Sequence, residues 1–275
     1  MLCSLYNVSM CLLLLSFNKH PDYPVILAAN RDEFYERPTE SASFWHDHPS
    51  ILAGRDLRKG GTWMGVSKDG RIAAVTNYRE PLQNKPDAIS RGSLVSDYLQ
   101  GEESAKNYIQ RAMVQSHAYD EFNFLVGDKQ SLFFYSSVED AYLTLKPGLY
   151  GISNGNLDCP WPKVEKGKVA MEKVIQASEK PEPEELFDLL ADKTVAADSE
   201  LPSTGVSIEW ERKLSPLFVN FESYGTRSST VLLIDRQGRV SFFERSFDKE
   251  GQVVDTRSYE FLIDEELCIN RVSVD

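Results

Sequence analysis

Apolar residues form short dense runs toward both ends of this chain and recur at helical spacing between them. Cys11–Phe17 (CLLLLSF) is a continuous apolar run closed by Asn18 and the breakers Pro21 and Pro24, and Val25–Ala29 is a second. Together they predict a hairpin of two buried strands that delivers Asn30-Arg31-Asp32-Glu33 at a strand end. Gly61–Val66 and Arg71–Thr76 predict two more strands, joined by Ser67-Lys68-Asp69-Gly70, where Asp-Gly signals a tight turn. From Ser93 to about Gln115 the period becomes helical, with Gly101 dividing a short helix from a longer one. Strand character returns over Phe122–Gly127, Ser131–Ser136 and Tyr142–Ser153, and helices follow at about Pro162–Ala177 and Glu184–Asp192. Lys193–Gly225 keeps no period and predicts a long loop. Thr230–Asp235, Arg239–Phe247 and about Asp255–Ile263 predict a closing antiparallel meander. Strands in blocks followed by helices in blocks imply an α+β layered domain rather than alternating βαβ units.

Charge narrows the partners. Among 275 residues, 42 acidic side chains against 30 basic ones give a formal charge of −12, which repels phosphate backbones and anionic lipid. The densest basic stretches, Arg55–Lys59 and Lys163–Lys173, are interleaved with acids or spread at helical spacing, so no nucleic-acid partner is expected. Cys3, Cys11, Cys159 and Cys268 show neither the CxxC spacing of a metal or redox site nor the density of a disulfide scaffold, which fits a reducing, cytoplasmic setting. The run from Met10 to Phe17 is far short of the roughly 20 residues that span a bilayer, so no transmembrane segment is expected. Residues 1–9 lack the basic character of a secretory signal.

Cys11 begins the first core strand and Met10 precedes it, so residues 1–9 read as an extension ahead of a single domain spanning 10–275, by misassigned start or by removal. A cysteine at a chain terminus carries its own base, because a free α-amine has a pKa of about 8 whereas a peptide nitrogen has no usable lone pair. The alternative is a buried small hydrophobe that starts a strand. Asn30-Arg31-Asp32-Glu33 admits two readings as well: a structural ion pair at the hairpin end, or a charge set in which Arg31 lowers the thiol pKa and Asp32 holds the terminal ammonium or orients Arg31. Glu33 is equally explicable as a partner for Arg37 or Arg55. Trp63 is a candidate pocket wall, with aromatic core as the default. His46-Asp47-His48-Pro49 reads as a turn rather than a metal site, and Gly60-Gly61 lacks the lysine of a phosphate loop. No metal or cofactor is expected.

The stretches MCLLLLSFNKHPDYPVILAANRDEFYERPTESASFW, ILAGRDLRKGGTWMGV, AAVTNYREP, YGISNG, PWPKV and YGTRSSTVLLID resemble the NRDE-domain family, also called the transport and Golgi organization protein 2 family, over roughly Met10 to Phe261. That family is similar in turn to the N-terminal-nucleophile hydrolases and more loosely to choloylglycine hydrolases and penicillin V acylases. The resemblance implies a four-layer αββα sandwich of two antiparallel sheets. It implies Cys11 as nucleophile, with Arg31, Asp32 and Arg227 setting electrostatics and Asn77 and Asn154 as oxyanion donors. The acylases separate their Arg and Asp by two residues, whereas Arg31 and Asp32 are adjacent. Asn30, Glu33 and Trp63 are the candidate substrate contacts. The implied activity is cleavage or transfer of a small-molecule amide or acyl bond. The alternative is a non-catalytic carrier of haem or acyl-coenzyme A in the same cleft.

Overall fold

The computed structural model describes residues 11–79, 85, 87–177 and 179–264. The extension expected over residues 1–9, Met10, Cys3 and Cys268 lie outside the described residues.

The strands are β1 (Cys11–Phe17), β2 (Val25–Phe34), β3 (Thr39–Phe44), β4 (Ile51–Asp56), β5 (Met64–Ser67), β6 (Ile72–Asn77), β7 (Phe122–Gly127), β8 (Leu132–Ser136), β9 (Ala141–Thr144), β10 (Gly148–Ile152), β11 (Asn220–Phe221), β12 (Tyr224–Ile234), β13 (Arg239–Phe247) and β14 (Val253–Leu262). The helices are α1 (Gly92–Gln100), α2 (Ala105–Val114), α3 (Pro162–Ala177), α4 (Pro183–Leu190) and α5 (Ile208–Leu214). One antiparallel sheet runs β10-β1-β2-β12-β13-β14 with β11 paired to β12, and the other runs β3 to β9 in chain order.

Three apolar layers hold this together. Leu13, Leu15, Leu27 and Phe242 of the first sheet meet Leu52, Val66, Ile72 and Phe134 of the second. Behind the second sheet, Val95 and Leu99 of α1 and Tyr108 and Ile109 of α2 cover Ala73, Phe124 and Tyr135. Behind the first, Val164 and Met171 of α3 and Leu186 and Leu190 of α4 cover Leu12, Leu14, Ile26 and Val231. The result is the αββα order that the resemblance implies. Both faces of β1 and β2 are buried, which is why these strands read as unbroken apolar runs rather than alternating ones.

Three regions differ from the sequence expectation. Thr39–Phe44 and Ile51–Asp56 form β3 and β4, although TESASF carries little apolar signal; the partly buried side chains of β3 face a bulged register between Glu40 and Ser43. The single strand expected over Tyr142–Ser153 is two strands in opposite sheets, because Lys146-Pro147 interrupts pairing and lets the chain cross between layers. The expected loop from Lys193 to Gly225 contains α5, β11 and the start of β12. Among the described residues no helix is long and apolar enough to cross a membrane.

The β3 bulge has a buried consequence. Ala42 donates its N–H to Glu244 Oε1 at 2.6 Å, and Glu244, on β13, is 2 % exposed between the sheets. Burial pushes its carboxyl up to about 7, outweighing the Ala42 N–H and the charge of Arg31. Between its ordinary value and about 7 the folded chain therefore keeps a proton that the unfolded chain has released, so this group's contribution to stability falls as pH rises through that window. Glu244→Gln should match the wild type in urea unfolding near pH 5 and exceed it near pH 8 by about 3 kcal/mol. Equal stability at pH 8 would show that Glu244 is charged and fully compensated.

Candidate active site

The strand period divides the polar cluster at the end of β2. Arg31 and Glu33 share a face with Leu27 and Ala29, which belong to the layer between the sheets, whereas Asn30 and Asp32 share a face with Ile26 and Ala28, which lie under α3 and α4. Cys11 is in phase with Leu13 and Leu15 and so opens onto the inter-sheet side; its Cα partner on β2 is Arg31. A cleft of about 600 Å³ lies there, lined by Cys11, Arg31, Glu33, Trp63, Asn77 and Arg91 among others.

Arg31 is buried, its guanidinium 4.3 Å from the centroid of a Trp63 ring, with Nη1 donating to Thr39 Oγ1 at 3.1 Å and Nη2 3.8 Å from Glu33 Oε2. Glu33 also approaches Arg37 at 3.6 Å, so of its two expected partners it takes Arg37. Arg55 pairs instead with Asp47 through two hydrogen bonds of 2.7 and 2.8 Å, which occupies the carboxylate between His46 and His48.

Asn154 lies just beyond β10. Its Oδ1 accepts from the Cys11 backbone N–H at 3.3 Å, and its Nδ2 donates to the Asn77 carbonyl at 2.7 Å. It therefore fixes the nitrogen of the nucleophile candidate and joins it to the end of β6. This placement differs from the expected oxyanion donor: the side chain is directed at the Cys11 nitrogen and at backbone, while Asn77 lines the cleft. Ser153 Oγ donates to the Cys11 carbonyl at 2.9 Å, so the residue is held on both sides of its Cα.

Three further candidates fall away from the cleft wall. Asn30 donates from Nδ2 to the carbonyls of Leu190 and Leu217, both at 2.9 Å, and accepts from Ser229 Oγ at 2.6 Å, tying α4 to the sheet instead of facing a substrate. Arg227 Nη1 donates to the carbonyls of Phe34, Tyr35 and Arg37 at 2.9 to 3.1 Å and so closes the turn after β2. Asp32 is fully buried on the helix side, where Oδ1 accepts from Thr226 Oγ1 at 2.7 Å. For Asn30 and Asp32 strand alternation is the reason: neighbours in Asn-Arg-Asp-Glu must face opposite layers.

Electrostatics at Cys11 run against the expectation drawn from Arg31. Burial, followed by the charge of Asp32, pushes the thiol up to about 12, and the smaller opposing effects of Arg31 and of the Asp32 backbone N–H do not reverse it. With a peptide bond on its nitrogen, Cys11 is a neutral thiol at physiological pH.

The family model described as Transport and Golgi organisation 2 matches residues 10–249. The chain belongs to that family. Among its relatives, the mouse Transport and Golgi organization 2 homolog is 34% identical over 275 residues, covering 92% of this chain and 99% of the relative. The Drosophila melanogaster Transport and Golgi organization protein 2 is 31% identical over 265 residues, covering 86% and 92%. Solved structures with some likeness include a Caenorhabditis elegans ortholog of N-acylethanolamine-hydrolyzing acid amidase, at 9% identity and TM-score 0.40 over 81% of this chain and 92% of that one. A mutant conjugated bile acid hydrolase from Clostridium perfringens has 8% identity and TM-score 0.40 over 93% and 90%.

The sequence reading of this family member left out a buried polar group behind Cys11. Arg79, two residues past β6, pairs with Glu211 of α5 at 2.9 Å, and Thr204 Oγ1 donates to the same carboxylate at 2.5 Å. Arg79 N–H donates to the Asn154 carbonyl at 2.7 Å, linking this pair to the site. Lys163, near the start of α3, is also buried there. Lys163 stands in the motif PWPKV and Arg79 in VTNYREP, so a charged residue inside a family motif was the available signal.

Proposed function

We propose that this chain is an N-terminal-nucleophile-type cysteine amidohydrolase or acyltransferase acting on a small-molecule amide or acyl bond, with Cys11 as nucleophile once residues 1–10 are removed. The observation that carries this reading is the Cys11 nitrogen, held by Asn154 Oδ1 at 3.3 Å at the head of β1, on a residue that opens into the cleft beside Arg31. Freed, that nitrogen becomes an amine on the same residue as the thiol. The thiol proton passes to the amine as Sγ bonds to the carbonyl carbon. The amine then gives the proton to the leaving nitrogen as the C–N bond breaks, leaving a thioester that water hydrolyses with regeneration of the thiol. In this reading Asn77, which lines the cleft, donates to the oxyanion, and such a donor is worth about 3 kcal/mol in an acyl-transfer transition state. Arg31 supplies fixed positive charge on the same side, and Glu33 and Trp63 border the substrate.

The family match starts at Met10, directly ahead of Cys11, which supports a functional unit whose nucleophile follows an initiator methionine. The chain isolated from its own cells should show, by intact mass, a form that begins at Cys11. Cys11 in that form should be alkylated by iodoacetamide at neutral pH at least about 10-fold faster than in a chain that keeps residues 1–10. Equal rates in the two forms would remove the terminal amine from the mechanism.

The raised thiol favours a second reading for the uncut chain. With Cys11 near 12 and its nitrogen acylated by the preceding residue, the same cleft is a binding site without turnover, suited to a carrier of haem or acyl-coenzyme A.

A further inference from the structure

The cleft beside Cys11 is lined by two kinds of cation. Arg31 and Arg37 are compensated: Arg31 lies 3.8 Å from Glu33, and Arg37 pairs with Asp56 at 2.5 Å and approaches Glu33 at 3.6 Å. Arg58, Lys59 and Arg91 line the same cleft, and among the described residues none of these three forms an ion pair. Arg58 and Lys59 are exposed on the turn between β4 and β5, whereas Arg91 is partly buried immediately ahead of α1. These two segments meet backbone to backbone. The Thr62 N–H donates to the Gly92 carbonyl at 3.3 Å, and a Cβ on Gly61 would lie 2.6 Å from the Gly92 carbonyl carbon. The three cations therefore stand on adjoining segments of one wall.

Arg91 Nη1 donates to the Glu121 carbonyl at 2.9 Å, which anchors the side chain by one nitrogen. A guanidinium has five N–H donors in a planar fork matched to carboxylate and phosphate oxygens, and a single carbonyl leaves its charge uncancelled. The first turn of α1 holds no acid. Two more acids line the cleft: Asp120, whose Oδ1 accepts from the Lys85 N–H at 3.0 Å, and Glu36, which is exposed after β2. In a chain of net charge −12, this wall reverses the prevailing sign, and a recess concentrates such a field more than an open surface does. Apolar surface adjoins it, because Ile89, exposed two positions before Arg91, lines the cleft together with Val75 and Trp63.

We propose that the ligand of this cleft is an amphipathic anion, its carboxylate or phosphate bound by Arg91 with Arg58 and Lys59, and its apolar part lying along Val75 and Trp63 toward Cys11. This rests on the terminal-nucleophile reading above for where the ligand reacts, while the anion contact itself requires only the cleft.

The test is isothermal titration calorimetry of the full, uncut chain at neutral pH with hexanoate, monohexyl phosphate and the uncharged hexanamide. At least one of the two anions should bind at least about 10-fold more tightly than hexanamide, and the tighter of them identifies the headgroup. Arg91→Gln should weaken that anion about 10-fold. Anions that bind no better than hexanamide, or an Arg91→Gln chain that binds them as the wild type does, would overturn the proposal. If Arg91→Gln does not fold, Arg58→Gln/Lys59→Gln, altered only at exposed positions, decides by the same measure: weakened anion binding supports the site, and wild-type affinity overturns it. Anion-selective binding by a chain whose cut form shows no acylation of Cys11 would end the nucleophile reading and leave this contact standing. Acylation of Cys11 without anion selectivity would do the reverse.

Discussion

Cut before Cys11, the wild-type chain should release p-nitrophenol from a p-nitrophenyl acyl ester in a burst of about one equivalent, with a matching acyl mass on the peptide that begins at Cys11. Cys11→Ala should abolish the burst and lower any remaining release by about 10³-fold or more, because removal of a covalent nucleophile leaves only binding and oxyanion contacts. Cys11→Ser should fall between them, since a hydroxyl beside the same amine is a weaker nucleophile. The magnitude follows from the geometry: Asn154 and Ser153 hold the residue through its nitrogen and carbonyl, not through the thiol, so truncating the side chain deletes the reacting atom without loosening its support. A full burst in Cys11→Ala would place the acyl group on another residue and end the proposed mechanism.

The second large effect is one of stability. Glu211→Ala should destabilise the chain by about 3–5 kcal/mol in urea unfolding, the usual result of leaving one member of a buried ion pair without the other. Arg79 and Glu211 are 6% and 3% exposed at their side chains, and burial already draws the Arg79 pKa down. Losing Glu211 also releases Thr204, which hydrogen-bonds to its carboxylate, so the segment around α5 should become the first site of proteolysis. Arg79→Met/Glu211→Met should cost less than Glu211→Ala alone, because it removes both charges together. If the double variant is the less stable of the two, packing of the long side chains, and not the uncompensated charge, is what matters there.

Much of the fold was legible for a plain reason. Strands buried on both faces must be apolar at every position, and Cys11–Phe17, Val25–Ala29 and Phe122–Gly127 announce themselves that way. Thr39–Phe44 did not, because its pairing with β4 is bulged and part of its surface is exposed, which lets a polar sequence form a strand. The division of Tyr142–Ser153 between two sheets was present locally in Pro147, yet which sheet each half joins depends on partners far away in sequence.

At the site, the run Asn30–Glu33 marked the end of β2 as the place where polar residues enter a core, and the family motifs singled out Cys11 as the residue beside it. What the order of residues could not assign was direction. Arg31 and Glu33 turn into the cleft while Asn30 and Asp32 turn under the helices, and Asn154 points back at the Cys11 nitrogen, because strand alternation and the two-sheet stacking set which side of each strand is open. Local pattern and motif were enough to establish a layered α+β chain of its family with a cysteine at the head of its first core strand. Packing between layers was needed to raise the thiol by burial, to turn Arg227 onto the carbonyls of a turn, and to bring Lys163, 152 positions along the chain from Cys11, into its charge environment. Those outcomes depend on desolvation and on distances across layers, which sum over residues that no local pattern brings together.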